Sequence, residues 1–191
     1  MNQGMLRGSA DNPQQQPFTA PGLQKAAPGM WVRQLGDVLG TSTMTANRVE
    51  YLEFFWPCPV RIDWIGVLVA STPGAKVNFG QYAPDRNGMP SQLTRRLGTV
   101  TTASTGAQGI YQDVLLPAGR SYLALQVDNT AATVFNTIGS PLNVEPAGAA
   151  GSLWAAGFLI QDPGSFALPG TAVPSSSPTA VAPVLALRCA A

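Results

Sequence analysis

The feature that most limits what this chain can fold into is a succession of short apolar runs broken by turn-forming residues, densest between Arg61 and Val127. Arg61–Ala70 is apolar on both faces and reads as a central strand, with Gly66 marking a bulge or the close approach of another element. Lys76–Tyr82 is a second strand, and the loop Tyr82–Pro90 follows it. There Asp85 and Asn87 can bond their own backbone, Arg86 lies between them, and Gly88 can take a positive φ. Arg95–Val100 is a strand with a polar face. Ile110–Leu116 and Ser121–Val127 are expected to form a hairpin closed at Pro117-Ala118-Gly119-Arg120. Asn-Gly and proline turns between β-rich runs are the mark of an antiparallel sheet.

Outside that stretch, residues 1–45 are different in kind. Asp11–Gly22 is rich in proline and glutamine and cannot build a core, so the segment reads as an extended arm, with one helical turn allowed at Met30–Leu35. Phe18, Leu23, Met30 and Trp31 are its apolar anchors, expected to lie on a neighbouring subunit. On that reading, removal of residues 1–40 abolishes assembly and leaves the domain folded.

The domain is expected over 46–191. Leu52, Phe54 and Trp56 share one face of a strand at Arg48–Trp56, and Val49, Tyr51 and Phe55 share the other, near a sheet edge. Further strands are expected at Ala132–Ile138, Leu153–Ile160 and Val184–Arg188, with long loops at 139–151 and 161–182. Eight or nine short strands without an ordinary helix give an all-β fold, and a jelly-roll-like antiparallel sandwich is the version expected.

Composition narrows the partners. Charged residues are 11% of the 191, well below the usual quarter, while 45% are hydrophobic. Either partner subunits cover much of the surface, or the surface is built from uncharged polar residues. A net charge of +1 gives no basis for attraction to nucleic acid or to an anionic membrane, and no run is long enough to span a bilayer. The N-terminus lacks the apolar core of a signal peptide. Two cysteines, Cys58 and Cys189, are too few for a disulfide framework and have no metal-ligand spacing.

Six short motifs occur in register. They are Ala46-Asn47-Arg48-Val49-Glu50-Tyr51; Ile62-Asp63-Trp64-Ile65-Gly66-Val67; Phe79-Gly80-Gln81-Tyr82 with Asp85-Arg86-Asn87-Gly88-Met89-Pro90; Leu97-Gly98-Thr99-Val100; Thr105-Gly106-Ala107; and Leu116-Pro117-Ala118-Gly119-Arg120-Ser121-Tyr122-Leu123-Ala124. In this order and spacing, residues 46–127 resemble a module of tailed-bacteriophage virion proteins found in fibre, spike and head-surface β-sandwiches. Gln81, where the module often has an apolar residue, and Ser121-Tyr122, where it often has Tyr-Trp, depart from it. The resemblance implies a non-enzymatic structural or adhesion role in a virion assembled in a host cytoplasm. The implied partners are other virion proteins (major capsid or fibre subunits), sister copies in a homo-oligomer such as a trimer, and a host-surface glycan in the adhesin version.

The chemistry on offer is sparse. With no histidine, Ser-His-Asp and Cys-His arrangements and histidine metal sites are excluded. A glycosidase would need two carboxylates about 5–10 Å apart, and Glu50, Glu53, Asp63, Asp85, Asp113, Asp128, Glu145 and Asp162 carry no spacing that pairs them. Asp85-Arg86-Asn87-Gly88 invites a calcium reading but lacks the full loop spacing, so an Asx turn is favoured. The same preference holds for Asp128-Asn129. No catalytic residue, metal or cofactor is assigned. Trp56, Trp64, Trp154, Tyr82, Tyr111 and Tyr122 are the aromatic side chains that could stack on a sugar, although strand aromatics are mostly core.

Overall fold

A computed structural model describes residues 29, 31–33, 37–56, 58–71, 74–130, 133–138, 158–175 and 182–190. The described residues form twelve strands and no helix: β1 (Trp31–Arg33), β2 (Asp37–Thr43), β3 (Val49–Trp56), β4 (Val60–Ser71), β5 (Lys76–Pro84), β6 (Pro90–Thr101), β7 (Gly106–Leu116), β8 (Gly119–Val127), β9 (Thr133–Ile138), β10 (Phe158–Gln161), β11 (Ala182–Pro183) and β12 (Leu185–Cys189). They build two antiparallel sheets packed as an all-β sandwich. The five-stranded sheet runs β10-β3-β8-β5-β6. In the seven-stranded sheet, β4 is central, with β7 along one edge and β12 and the start of β9 sharing the other. β1 lies outside β12, and β2 and β11 flank β9.

Side-chain alternation explains the layers. Leu52, Phe54 and Trp56 of β3 and Leu123 and Leu125 of β8 face inward. There they meet Ile62, Ile65, Val67 and Val69 of β4 and Leu185 and Leu187 of β12. Buried Trp56 needs a partner for its indole N–H, and Ser121 Oγ accepts it at 3.2 Å. Ser121 thus serves the core.

Three expectations change. First, β7 and β8 are not a hairpin. β7 pairs with β4, β8 pairs with β3 and β5, and the Pro117–Gly119 corner carries the chain from one sheet to the other. The burial patterns give the reason. Residues 121–127 are buried on both faces and need a strand on either side, whereas β7 alternates, burying Val114 and Leu116 and exposing Tyr111, Asp113 and Leu115. Secondly, Trp31–Arg33 is a strand on β12, where a helical turn was allowed. Thirdly, β1 and β2 both precede residue 46, so the ladders reach back into the segment expected as an arm. A truncation that tests an arm alone must stop before Gly29, because removal through residue 40 takes β1 and half of β2. Phe18, Leu23 and Met30, like residues 139–151, lie outside the described residues, and of Trp31 only the backbone is described.

Gly66 has the expected role. It stands opposite Gly109, and a Cβ on either would meet the Trp64 ring at 2.3–2.4 Å. Both glycines would point such a Cβ away from the inter-sheet core, so the indole lies flat on the outer surface of β4 and β7. A bulge between Ile62 and Trp64 sets it there. Gly109→Ala should therefore force the indole or the Ile65 carbonyl aside. The expected loss is about 1–3 kcal/mol in urea unfolding, and an unchanged midpoint would show that the contact yields freely.

Candidate functional site

The two outer faces of the sandwich are unlike. That of the five-stranded sheet is covered over its centre by the chain's own residues 162–175, with Phe55 exposed beside them. Val49, Tyr51, Tyr82, Tyr122 and Ala124 form a second apolar cluster with Leu159, Leu168 and Ala172. Tyr51 and Tyr82 meet edge to face, centroids 5.0 Å apart. Each buried hydroxyl has an acceptor. Tyr51 donates to Gln161 Oε1 at 2.6 Å, Tyr82 to the Pro169 carbonyl at 2.6 Å, and Tyr122 to the Gly88 carbonyl at 2.5 Å. Burial raises all three phenols, Tyr82 up to about 12, so they remain neutral donors. Arg96 donates to the Leu168 carbonyl and Gln126 to that of Ser165, and Leu93 and Gly170 share a backbone bond. The segment is a strap tied down along its length.

The loop between β5 and β6 is built for shape. Asp85 Oδ1 accepts the amides of Asn87 at 2.8 Å and Met89 at 2.9 Å, and Gly88 turns with φ 80°. That carboxylate oxygen is engaged by the loop's own backbone, as in an Asx turn. Arg86 and Asn87 are exposed at its tip. Asp128 likewise accepts the Lys76 amide at 2.8 Å. Among the described residues no three acids or cysteines cluster as a metal site.

The open face belongs to β12, β4 and β7. Arg188, Trp64 and Tyr111 stand side by side across the three strands. Tyr111 is 73% exposed, with the Arg188 guanidinium 5.3 Å from its ring centre, and Leu115 is 64% exposed on the same strand. Two bidentate pairs flank them: Arg188 with Asp63 at 2.8 and 2.9 Å, and Arg61 with Asp113. The Asp113 charge reaches Asp63 and opposes its ionisation. Even so, the hydrogen bonds from Arg188 and Arg61 hold both carboxyls below the ordinary range. The pair therefore supplies fixed charge and no proton donor near neutrality, which a general acid requires. The face can recognise a surface by an aromatic, an aliphatic and two charge pairs.

Of the aromatic candidates, Trp56, Trp64, Tyr82 and Tyr122 are buried, Tyr111 is exposed, and Trp154 lies outside the described residues. Glu53 pairs with Arg120 at 2.6 Å and Asp162 with Arg48 at 3.0 Å; Glu145 lies outside. Cys58 is exposed and Cys189 buried, and neither is in a disulfide. Leu115 and the arginines were not singled out in sequence. The signal for the arginines is charge of opposite sign on neighbouring strands, legible only once β4 is known to pair with β7 and β12; Leu115 had none.

No protein-family model and no curated protein matches the chain. One solved structure similar to it contains the cysteine protease and lectin-like domains of Cwp84, a surface layer associated protein of Clostridium difficile. The likeness has 12% identity and a TM-score of 0.47, and covers 84% of this chain and 36% of that one.

Leu168→Ala should cost about 2–5 kcal/mol in urea unfolding and make residues 162–175 the first site of proteolytic cleavage. Tyr111→Ala should change stability by less than about 1 kcal/mol. Equal losses from the two would contradict the division into a covered and an open face.

Proposed function

We propose that this chain is a non-enzymatic structural protein on the exterior of a tailed phage or phage-like particle, as a head decoration or the base of a head fibre or spike, with its N-terminal segment as anchor. The observation that carries the reading is the asymmetry of the sandwich. One outer face is largely covered by the chain's own strap, leaving Phe55 and Val173 as its exposed apolar side chains, while the other is uncovered and presents Tyr111 and Leu115 between two charge pairs, an arrangement suited to contact with another protein. The resemblance of residues 46–127 to virion modules supplies the setting. Sister copies and the shell or fibre subunits are the partners this reading calls for.

An adhesin that binds a host-surface carbohydrate is the second reading, and Tyr111 is the observation that favours it. It is weaker because Trp56, Trp64, Tyr82 and Tyr122 are buried, leaving one exposed ring among the described candidates where a sugar site would draw on several.

The test is the composition of purified particles by quantitative mass spectrometry, with wild type and Leu115→Arg compared. The structural reading expects the wild-type chain at a fixed ratio to the major shell protein, and the folded variant lost from particles. Absence of the wild-type chain from tailed particles would overturn it. Retention of the variant, with loss of host glycan binding in Tyr111→Ala, would favour the adhesin.

A further inference from the structure

Glu50 stands where the fold has least use for a charge. On β3 it shares the inward-facing side with Leu52, Phe54 and Trp56, and its cross-strand neighbours are Ile160 on β10 and Leu125 on β8. Phe79 continues the row beyond Leu125, so this acid interrupts an otherwise apolar band. It is 9% exposed, and among the described residues nothing bonds its Oε2.

The charged groups around it do not compensate. Arg48 is two residues away, but its guanidinium forks onto Asp162, Nε to Oδ1 at 3.0 Å and Nη2 to Oδ2 at 3.5 Å. From β8 come Leu125 and uncharged Gln126, which bonds the Asn47 and Ser165 carbonyls. From β10 come Ile160 and Gln161. The described core residues of the facing sheet are apolar apart from the buried thiol of Cys189, which burial also keeps protonated.

We propose that Glu50 is a proton-gated weak point of the sandwich: the fold holds it as the neutral acid, and loss of its proton to water loosens the β3–β10 margin and the strap into which β10 leads. A neutral carboxyl can stay in an apolar band at modest cost, whereas a carboxylate there lacks the solvation and partners a buried charge requires. The strap is exposed to the change because Ser175 bonds back to Ile160, and Gln161 holds both Tyr51 and the Val173 amide.

The direction with pH follows. Burial pushes the Glu50 carboxyl up from 4.5 to about 7, against a smaller opposing pull from Arg48. A group whose folded value is raised contributes stability that is complete below its unfolded value and is lost as pH rises to the folded one. Stability should therefore fall between about pH 4.5 and 7 and then level off. The folding constant should drop on the order of a hundredfold across that window. With no histidine in the chain, few other side chains titrate there. Glu53, also raised by burial but facing Arg120, is the control.

The experiment is urea unfolding of the full chain from pH 4.5 to 8 for wild type, Glu50→Gln and Glu53→Gln. Glu50→Gln should flatten the curve and Glu53→Gln should leave most of the slope. Curves for wild type and Glu50→Gln that run parallel would overturn the proposal. Should Glu50→Gln not fold, infrared spectra of the wild type decide: a protonated-carboxyl band present at pH 6 and gone by pH 8 is expected, and its absence at pH 6 overturns the proposal. Amide-exchange protection factors of β10 and residues 162–175, corrected for intrinsic rates, should fall over the same interval, and unchanged factors would overturn the loosening of the strap.

Discussion

Burial of β8 on both faces is the constraint from which the architecture follows. Every residue from Ser121 to Val127 is shielded, so this strand needs β3 and β5 on either edge, the opposite sheet beneath it and a cover above. Among the described residues the cover is not a third sheet. It is the strap of residues 162–175, and its backbone carbonyls are as much a part of the solution as Leu168. A bare loop over an apolar surface would leave its own polar groups unsatisfied. Tyr82, Arg96 and Gln126 provide donors for the carbonyls of Pro169, Leu168 and Ser165, which is why amphipathic and polar residues, and not aliphatic ones, occupy those positions.

Local pattern revealed the elements better than their partners. The runs that became β3, β4, β5 and β8 were legible from alternation and from their bounding turns, and so was the meaning of Gly66. What the pattern could not supply was pairing. Two consecutive runs joined by Pro117–Arg120 look like a hairpin in sequence, because neighbouring strands usually pair. Only the difference between two-sided and one-sided burial separates a corner from a turn. The open face was hidden for the same reason: Arg61 and Asp113, or Asp63 and Arg188, are distant in sequence and become neighbours only through the ladders of β4 with β7 and β12. The six short motifs have a backbone meaning. Asn47, Gly88, Gly98, Gly106 and Gly119, one from each of five of them, all take positive φ. Those motifs mark the places where the chain bends in ways most residues resist.

Few charges and many pairs belong together. Glu53, Asp63, Asp113 and Asp162 each meet an arginine, and Asp85 and Asp128 each accept a backbone amide. A surface so self-neutralised generates little long-range field, so encounters with a partner depend on shape and apolar contact more than on electrostatic steering. It also leaves the inner carboxyl of β3 as the conspicuous exception.

The position of β12 has a consequence for how the molecule is made. Trp31 pairs with Arg188, and β12 is the strand that joins β1 to β4. β1 and β2 are synthesised before the strands they pair with: among the described residues β1 has no ladder until Leu185–Cys189 has been made, and β2 pairs with Thr133–Ile138. Both wait as unpaired edges while the residues between are made, β1 the longer of the two, and closure of such long loops is slow. The order of birth and the order of assembly are opposed, and during that interval a nascent chain is open to capture by the strands of its neighbours.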